Sequence, residues 1–175
     1  PLFQRGEIWV GTELGAARYD KASGIWTKYT IDDGLPDKEV WAIAVDGVNV
    51  WFGTNKGVAV LNTELDKWSW YTVDDGLVDN KVTAIGVTDD YIFLNTPKGA
   101  TVYDKKLSSF SEFAEIEGLP SEAVQSTDSA LQYIWFGTAG GATLYDWVTD
   151  LPDELFTQRD GLGGDNVQSV KVDGD

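Results

Sequence analysis

A chain of 175 residues with 29 acidic and 13 basic side chains, formal charge -16, repels nucleic acid and anionic membranes rather than binding them. It contains no His and no Cys, which excludes Ser-His and Cys-His nucleophiles, imidazole acid-base chemistry, thiolate or imidazole metal sites, and disulfides. Neither a signal peptide nor a long apolar run is present, so no direct membrane insertion is expected of this segment, and Pro1 in place of Met points to cleavage, trimming or an unseen leader.

Short apolar runs follow one another along the chain. IWVGTELGAARYD at 8 to 20 leads into WTKYTIDDGLPDKEVWAIAVDG at 26 to 47, and VWFGTNKGVAVLN at 50 to 62 then repeats the opening. WSWYT, VTAIGVTDD, YIFLNT, PKGATVYD and FSEF continue the series, and IWFGTAGGATLYD at 134 to 146 begins it again. The runs are rich in Val, Ile, Tyr, Phe, Trp and Thr, bounded by Gly, Asp and Asn, and too short for helices of ordinary length, so each repeat is predicted to hold four strands.

The repeat has a fixed step. Trp9, Trp51, Phe93 and Trp135 recur every 42 residues, each two positions before Gly11, Gly53, Asn95 and Gly137. Gly15, Gly57, Gly99 and Gly141 keep the same step and are expected to take positive φ in a hairpin turn after Thr12, Thr54, Thr96 and Thr138. Asp20, Asn62, Asp104 and Asp146 end the next strand with a side chain able to bond the following turn. A third mark, Asp33-Gly34-Leu35, Asp75-Gly76-Leu77 and Glu117-Gly118-Leu119, returns one residue late as Asp160-Gly161-Leu162, which places a single insertion between Asp146 and Phe156.

A period in this range signals a solenoid or propeller. Strands that are apolar on both faces, such as Ile8-Trp9-Val10 and Val50-Trp51-Phe52, need cover on both sides, and radial stacking of small sheets supplies it. The fold expected is an all-β β-propeller of four 42-residue, four-stranded blades, one domain or partial propeller over 1-175 with repeats near 7-48, 49-90, 91-132 and 133-175. Two ring sizes remain open. The ends can complete one blade together, Glu7-Ile8-Trp9 as second strand and Val167 to Val172 as innermost strand, which closes a four-blade ring. Yet Pro1 to Gly6 share a repeat phase with Val170 to Asp175, which favours part of a larger ring completed by another chain or by further sequence.

These stretches resemble the two-component regulator propeller repeat, with its IWVGT, YD-ended strand, WTxYT, GLP loop and VxAI runs. The likeness covers nearly the whole chain and is weakest in the third copy, where Asn95 replaces Gly and Gln125-Ser126-Thr127 replaces Trp41-Ala42-Ile43. The resemblance implies an extracytoplasmic (periplasmic or secreted) sensing part of membrane histidine kinases, often responding to carbohydrates, and rings of more than four blades.

Function must come from residues that break the repeat, since the fold carries many activities. Trp41, Thr83, Gln125 and Gln168 follow Val40, Val82, Val124 and Val167 at one repeat position, where loops and inner-strand starts gather around a funnel. One aromatic among hydrogen-bonding side chains suits a carbohydrate or other small molecule, and these four are the ligand-binding candidates. Paired carboxylates running glycoside hydrolysis are the weaker alternative, because no pair is marked out. Acidic turns such as Asp32-Asp33, Asp74-Asp75 and Asp89-Asp90 lack the ligand spacing of a Ca²⁺ loop, so no metal, cofactor or catalytic residue is assigned. A scaffold whose open edges pair with another copy is the third possibility.

Overall fold

In the computed structural model, residues 6–113, 124–130, 133–146, 149 and 151–172 are described. Their strands form four antiparallel meanders. The first sheet holds β1 (Glu7–Thr12), β2 (Gly15–Asp20) and β3 (Ile25–Tyr29). The second runs β4 (Val40–Asp46), β5 (Asn49–Thr54), β6 (Gly57–Asn62), β7 (Lys67–Tyr71), and the third β8 (Ala84–Val87), β9 (Tyr91–Thr96), β10 (Gly99–Asp104), β11 (Ser109–Phe113). The fourth comprises β12 (Val124–Ala130), β13 (Tyr133–Thr138), β14 (Gly141–Asp146) and β15 (Leu151–Phe156). The sheets touch in chain order, β1 against β4, β4 against β8 and β8 against β12, so they are successive blades of an all-β propeller.

The turn residues act as their chemistry demands. Thr12, Thr54, Thr96 and Thr138 each donate Oγ1 to the carbonyl of the Gly three residues on, at 2.8–3.0 Å, and those glycines have φ between 110° and 141°. Asp20, Asn62, Asp104 and Asp146 each accept from a backbone N–H of the turn that follows. Before the next blade, Asp75 and Asp160 accept from the N–H and Oγ1 of Thr72 and Thr157, whose hydroxyls accept from Asp74 N–H and Arg159 N–H to cap short 3₁₀ turns, Val73–Asp75 and Gln158–Asp160. Asp33 and Thr30 repeat the reciprocal contact. Much of the acidic excess is thus turn-building carboxylate. Glu117-Gly118-Leu119 lies outside the described residues. The insertion falls in β15, where the ladder passes from Leu144↔Glu154 to Tyr145↔Pro152 and skips Asp153; an edge strand tolerates both the bulge and the proline.

The core lies between blades rather than within them. Val50, Phe52, Ala59 and Leu61 of the second blade meet Trp9, Ala16 and Tyr29 of the first. Trp51, Val58 and Val60 meet Ile92, Leu94 and Tyr103 of the third, and Phe93 and Val102 meet Ile134, Phe136 and Tyr145 of the fourth. Alternate residues of each strand therefore face the preceding and the following blade. Each fully buried Phe or Leu contributes about 1.5–3 kcal/mol. Gly53 permits the close approach of the next inner strand, since a Cβ there would stand 2.6 Å from the Val82 carbonyl oxygen.

Among the described residues the first sheet has three strands, and Val167–Val172 makes no ladder with β1. That segment instead lies beside the fourth sheet: Val167 N–H donates to Thr138 O at 2.8 Å, as Val82 N–H donates to Thr54 O at 2.9 Å. Residues 1–5, which share the phase of the incoming inner strand, lie outside the described residues.

Candidate functional site: a blade rim and an interblade cleft

The four residues singled out by broken repetition lie where the inner strands begin. The β4–β5 ladder skips between Val40 and Ala42, leaving Trp41 as a bulge, and the β12–β13 ladder skips Gln125 in the same way. A bulge re-aims a side chain out of the pleat. Trp41 is 47% exposed; its Nε1–H donates to Asn55 Oδ1 at 2.9 Å, Asn55 Nδ2 donates to Glu39 Oε2 at 2.8 Å, and Lys81 Nζ lies 4.8 Å from the ring centroid. Gln125 Nε2 donates to Asn166 Oδ1 at 2.9 Å. Lys81 and Asn166 both immediately precede the first inner-strand Val of the next blade. Trp41 and Gln125 thus make equivalent ties across two blade boundaries. Thr83 lies just before β8 and donates Oγ1 to Asn95 O at 3.3 Å, while Gln168 is exposed. Among the described residues no hydrogen bond or ring contact joins these four to one another.

A second feature was not anticipated from the sequence. Between the second and third blades lies a cleft of about 300 Å³. Trp51, Val60, Asn62, Ser69 and Tyr71 line it from one side and Tyr103 and Lys105 from the other, with Asn49 and Asp46 at its end. Trp51 is 97% removed from solvent by its 3% relative exposure, and among the described residues its Nε1–H has no acceptor. Trp51 and Tyr71 are near parallel with centroids 6.3 Å apart, and Tyr103 lies 5.3 Å from Trp51. Burial, together with the Tyr103 hydroxyl, pushes the Tyr71 phenol above its usual range, so it remains a neutral hydrogen-bonding group. Of the charges at the cleft, Lys105 Nζ meets Asp46 Oδ1 at 2.7 Å and donates to Thr88 O at 2.6 Å, while Lys67 lines the recess as an exposed cation. Asn62 Nδ2 donates to Asn49 Oδ1 at 3.0 Å. The result is an aromatic-walled recess with several amide and hydroxyl groups, one internal ion pair and the Lys67 ammonium, at the small end of the roughly 300–1,000 Å³ range of ligand pockets.

Repeat equivalence explains why the recess exists here. One step of 42 earlier, Arg18 stands for Val60 and Glu7 for Asn49. Arg18 Cζ lies 5.8 Å from the Trp9 centroid and its Nη1 reaches Glu7 Oε1 at 3.4 Å, so a long guanidinium stem fills the space that Val60 leaves open. On the facing blade, Trp68 packs on Tyr29, whereas Phe110 is the shorter ring at the second boundary. The signal that could have revealed the cleft is thus the loss of bulk at Val60 relative to Arg18, a lapse on the packing face rather than at the funnel.

Among the described residues no group of three or more carboxylates is placed to hold a metal ion, and no helix is long and apolar enough to cross a membrane. The two component regulator propeller family model matches residues 34–56, which span the end of the first repeat, β4 and all of β5. No curated protein matches the chain. Solved structures do. The extracellular domain of the hybrid two component system BT4673 of B. thetaiotaomicron aligns with TM-score 0.66 at 20% identity, over 86% of this chain and 20% of that one. PorZ, a bacterial surface component of the type-IX secretion system of Porphyromonas gingivalis, aligns with TM-score 0.65 at 17% identity, over 87% of this chain and 21% of that one. The computationally designed Ika8 protein aligns with TM-score 0.70 at 16% identity, over 98% of this chain and 51% of that one. The chain thus spans about a fifth of the two natural proteins and about half of the designed one. Residues 34–56 are thus similar to the two component regulator propeller family, and the chain has a β-propeller fold.

Proposed function

We propose that the chain is a non-catalytic sensing module that holds a neutral, polyhydroxylated small molecule, a carbohydrate of one or two rings, in the cleft between its second and third blades. The observation that carries this reading is the aromatic wall that Trp51, Tyr71 and Tyr103 give to a recess whose Asp46 and Lys105 charges are paired with each other and whose remaining charge, Lys67, is exposed. Sugars present apolar ring faces to aromatics and hydroxyls to amides, and a neutral ligand avoids the desolvation cost of an unpaired charge. The lack of His and Cys and the commitment of Asp33, Asp75 and Asp160 to turns support a binding rather than catalytic role. Likeness to the extracellular domain of BT4673 supports a place outside the cytoplasm and a sensing task. The funnel rim of Trp41, Thr83, Gln125 and Gln168 is the second surface in this reading, with Trp41 as its stacking platform.

The test is a calorimetric screen of neutral mono- and oligosaccharides against the chain and two variants. Val60→Arg with Asn49→Glu transplants the Arg18 and Glu7 filling into the cleft and should abolish binding, while Trp41→Ala leaves it within twofold. Loss in Trp41→Ala with binding intact in the filled cleft moves the site to the rim. Hydrolysis of a polysaccharide that disappears with one carboxylate would overturn the non-catalytic reading.

A further inference from the structure

The boundary between the third and fourth blades buries polar side chains at three repeat positions that are mostly small or apolar elsewhere. Asn95 stands for Gly11, Gly53 and Gly137, Thr127 for Ile43 and Ile85, and Thr143 for Ala17, Ala59 and Thr101. Asn95 and Thr143 are both 0% exposed. Among the described residues neither Oδ1 nor Nδ2 of Asn95 has a hydrogen-bond partner, and the buried Oγ1 atoms of Thr127 and Thr143 have none either.

The pleat aims all three side chains into one boundary. Ile92 and Leu94 pack toward the second blade and Phe93 toward the fourth, so Asn95, two residues beyond Phe93, faces the fourth. Thr127 and Thr143 lie directly opposite Phe136 in the fourth sheet, one on either side of it. Phe136 meets Phe93 edge to face, centroids 6.3 Å apart, so both threonines share the face that looks back at the third blade. The contact of Thr127 with β8 fixes its direction independently: its Cγ2 lies 2.8 Å and its Oγ1 3.3 Å from where a Cβ at Gly86 would stand.

The preceding boundary shows how such a hydroxyl is otherwise satisfied. There Thr101 Oγ1 accepts the Val78 N–H at 3.0 Å. One step of 42 later the residue in the place of Val78 is Pro120, which carries no N–H to give to Thr143. At the position of Asn95 the other three blades have glycine, and in the second blade a Cβ there would stand 2.6 Å from the Val82 carbonyl oxygen. A side chain at this place requires a wider approach of the next inner strand, and an amide brings one acceptor and two donors into the space so made. A buried amide left unmet costs the full desolvation of the group, and folded proteins meet such groups with internal water.

We infer that the third–fourth boundary binds internal water, held by the Asn95 amide and shared with the Thr127 and Thr143 hydroxyls. The three side chains are uncharged and both donate and accept, which suits water rather than an ion. The site is separate from the ligand cleft, which lies on the other side of the third blade. One boundary is thus filled by a guanidinium stem, the next is hollow, and the third is hydrated.

A crystal structure that resolves ordered solvent is expected to show water within about 3.2 Å of Asn95 Oδ1 or Nδ2. In solution, water magnetic relaxation dispersion should count it among the long-lived molecules. Asn95→Gly with Thr127→Ile restores the residues of the second blade and should lower that count by one or more, with a melting temperature no lower than that of the unmodified chain. The diffraction result needs no variant, so it decides the matter even where the double variant fails to fold. Direct bonds from the Asn95 amide to protein groups with no water in reach, or an unchanged count in the folded double variant, overturn the inference.

Discussion

The first and second blade boundaries share a backbone plan and differ in what fills it. At the first, Trp9 is covered by the Arg18 guanidinium and packs on Phe52, whose neighbour Trp68 closes the far side. At the second, Trp51 is more deeply buried than the half-buried Trp9, yet a recess lined by Val60 lies beside it. A repeat can therefore keep its strands, caps and hairpins while one or two outer side chains decide whether a boundary is solid or hollow. Stability resides in the shared plan, and binding capacity in the departures from it.

The comparison breaks most visibly if the solid boundary is hollowed. Phe52→Ala removes a fully buried ring in contact with Trp9 and Trp68 and should cost about 3–5 kcal/mol. At roughly 2–4 °C per kcal/mol for a chain of this size, calorimetry should show a melting temperature lower by about 10 °C. Val60→Ala, on the wall of a recess that already exists, should cost about 1 kcal/mol or less. Equal losses at the two sites would refute the contrast.

The shared plan is tested at the caps. Thr30→Ala and Thr72→Ala each remove the hydroxyl that bonds an Asp three residues on and should each cost about 1 kcal/mol. Denaturant midpoints for the two should coincide, and a twofold difference in cost would mean that the frameworks differ as well as the fillings. Arg18→Val sharpens the point in the other direction. It removes a partly buried ion pair of 3.4 Å, worth about 1 kcal/mol, and it should open a recess beside Trp9. Ligand stoichiometry for any sugar bound at the second boundary should then rise from one to two, read by titration calorimetry.

The smallest effect is local and pH-dependent. Burial pushes the Asp128 carboxyl upward, but the Lys171 ammonium and the Val172 N–H more than compensate, holding it below the ordinary 3.8. A depressed carboxylate pKa means that the docking of Val172 is fully present above about pH 4 and is lost as pH falls through the folded-state value. The Val172 amide resonance should shift in that acidic window, and Asp128→Asn should hold it at the undocked position at all pH. A shift that persists in Asp128→Asn assigns the titration to another group.

The blades were legible because hairpins constrain sequence locally. Thr12 with Gly15, Asp20 with its turn, and Thr30 with Asp33 are contacts within three residues, so each leaves a pattern that recurs with the fold. The place of Trp41 at the start of β4 was legible for the same reason, as a residue just after the inner-strand Val. Its bulge was not, because Val40 and Ala42 reveal a skipped partner only when β5 is laid beside them. Nor was the cleft. It depends on Val60 of one blade, Tyr103 and Lys105 of the next, and the absence of an arginine that only repeat-by-repeat comparison shows to be missing. Contacts separated by a whole repeat leave no short motif.

The most direct measurement of the central claim is titration calorimetry of the best-binding neutral saccharide against the chain and against the Val60→Arg, Asn49→Glu variant. The filled boundary should lose binding while its melting temperature stays within a few degrees of the unmodified chain, because the same pair already occupies the first boundary without disturbing the fold. Undiminished affinity in the filled variant would contradict the account and leave the cleft as a packing defect without function.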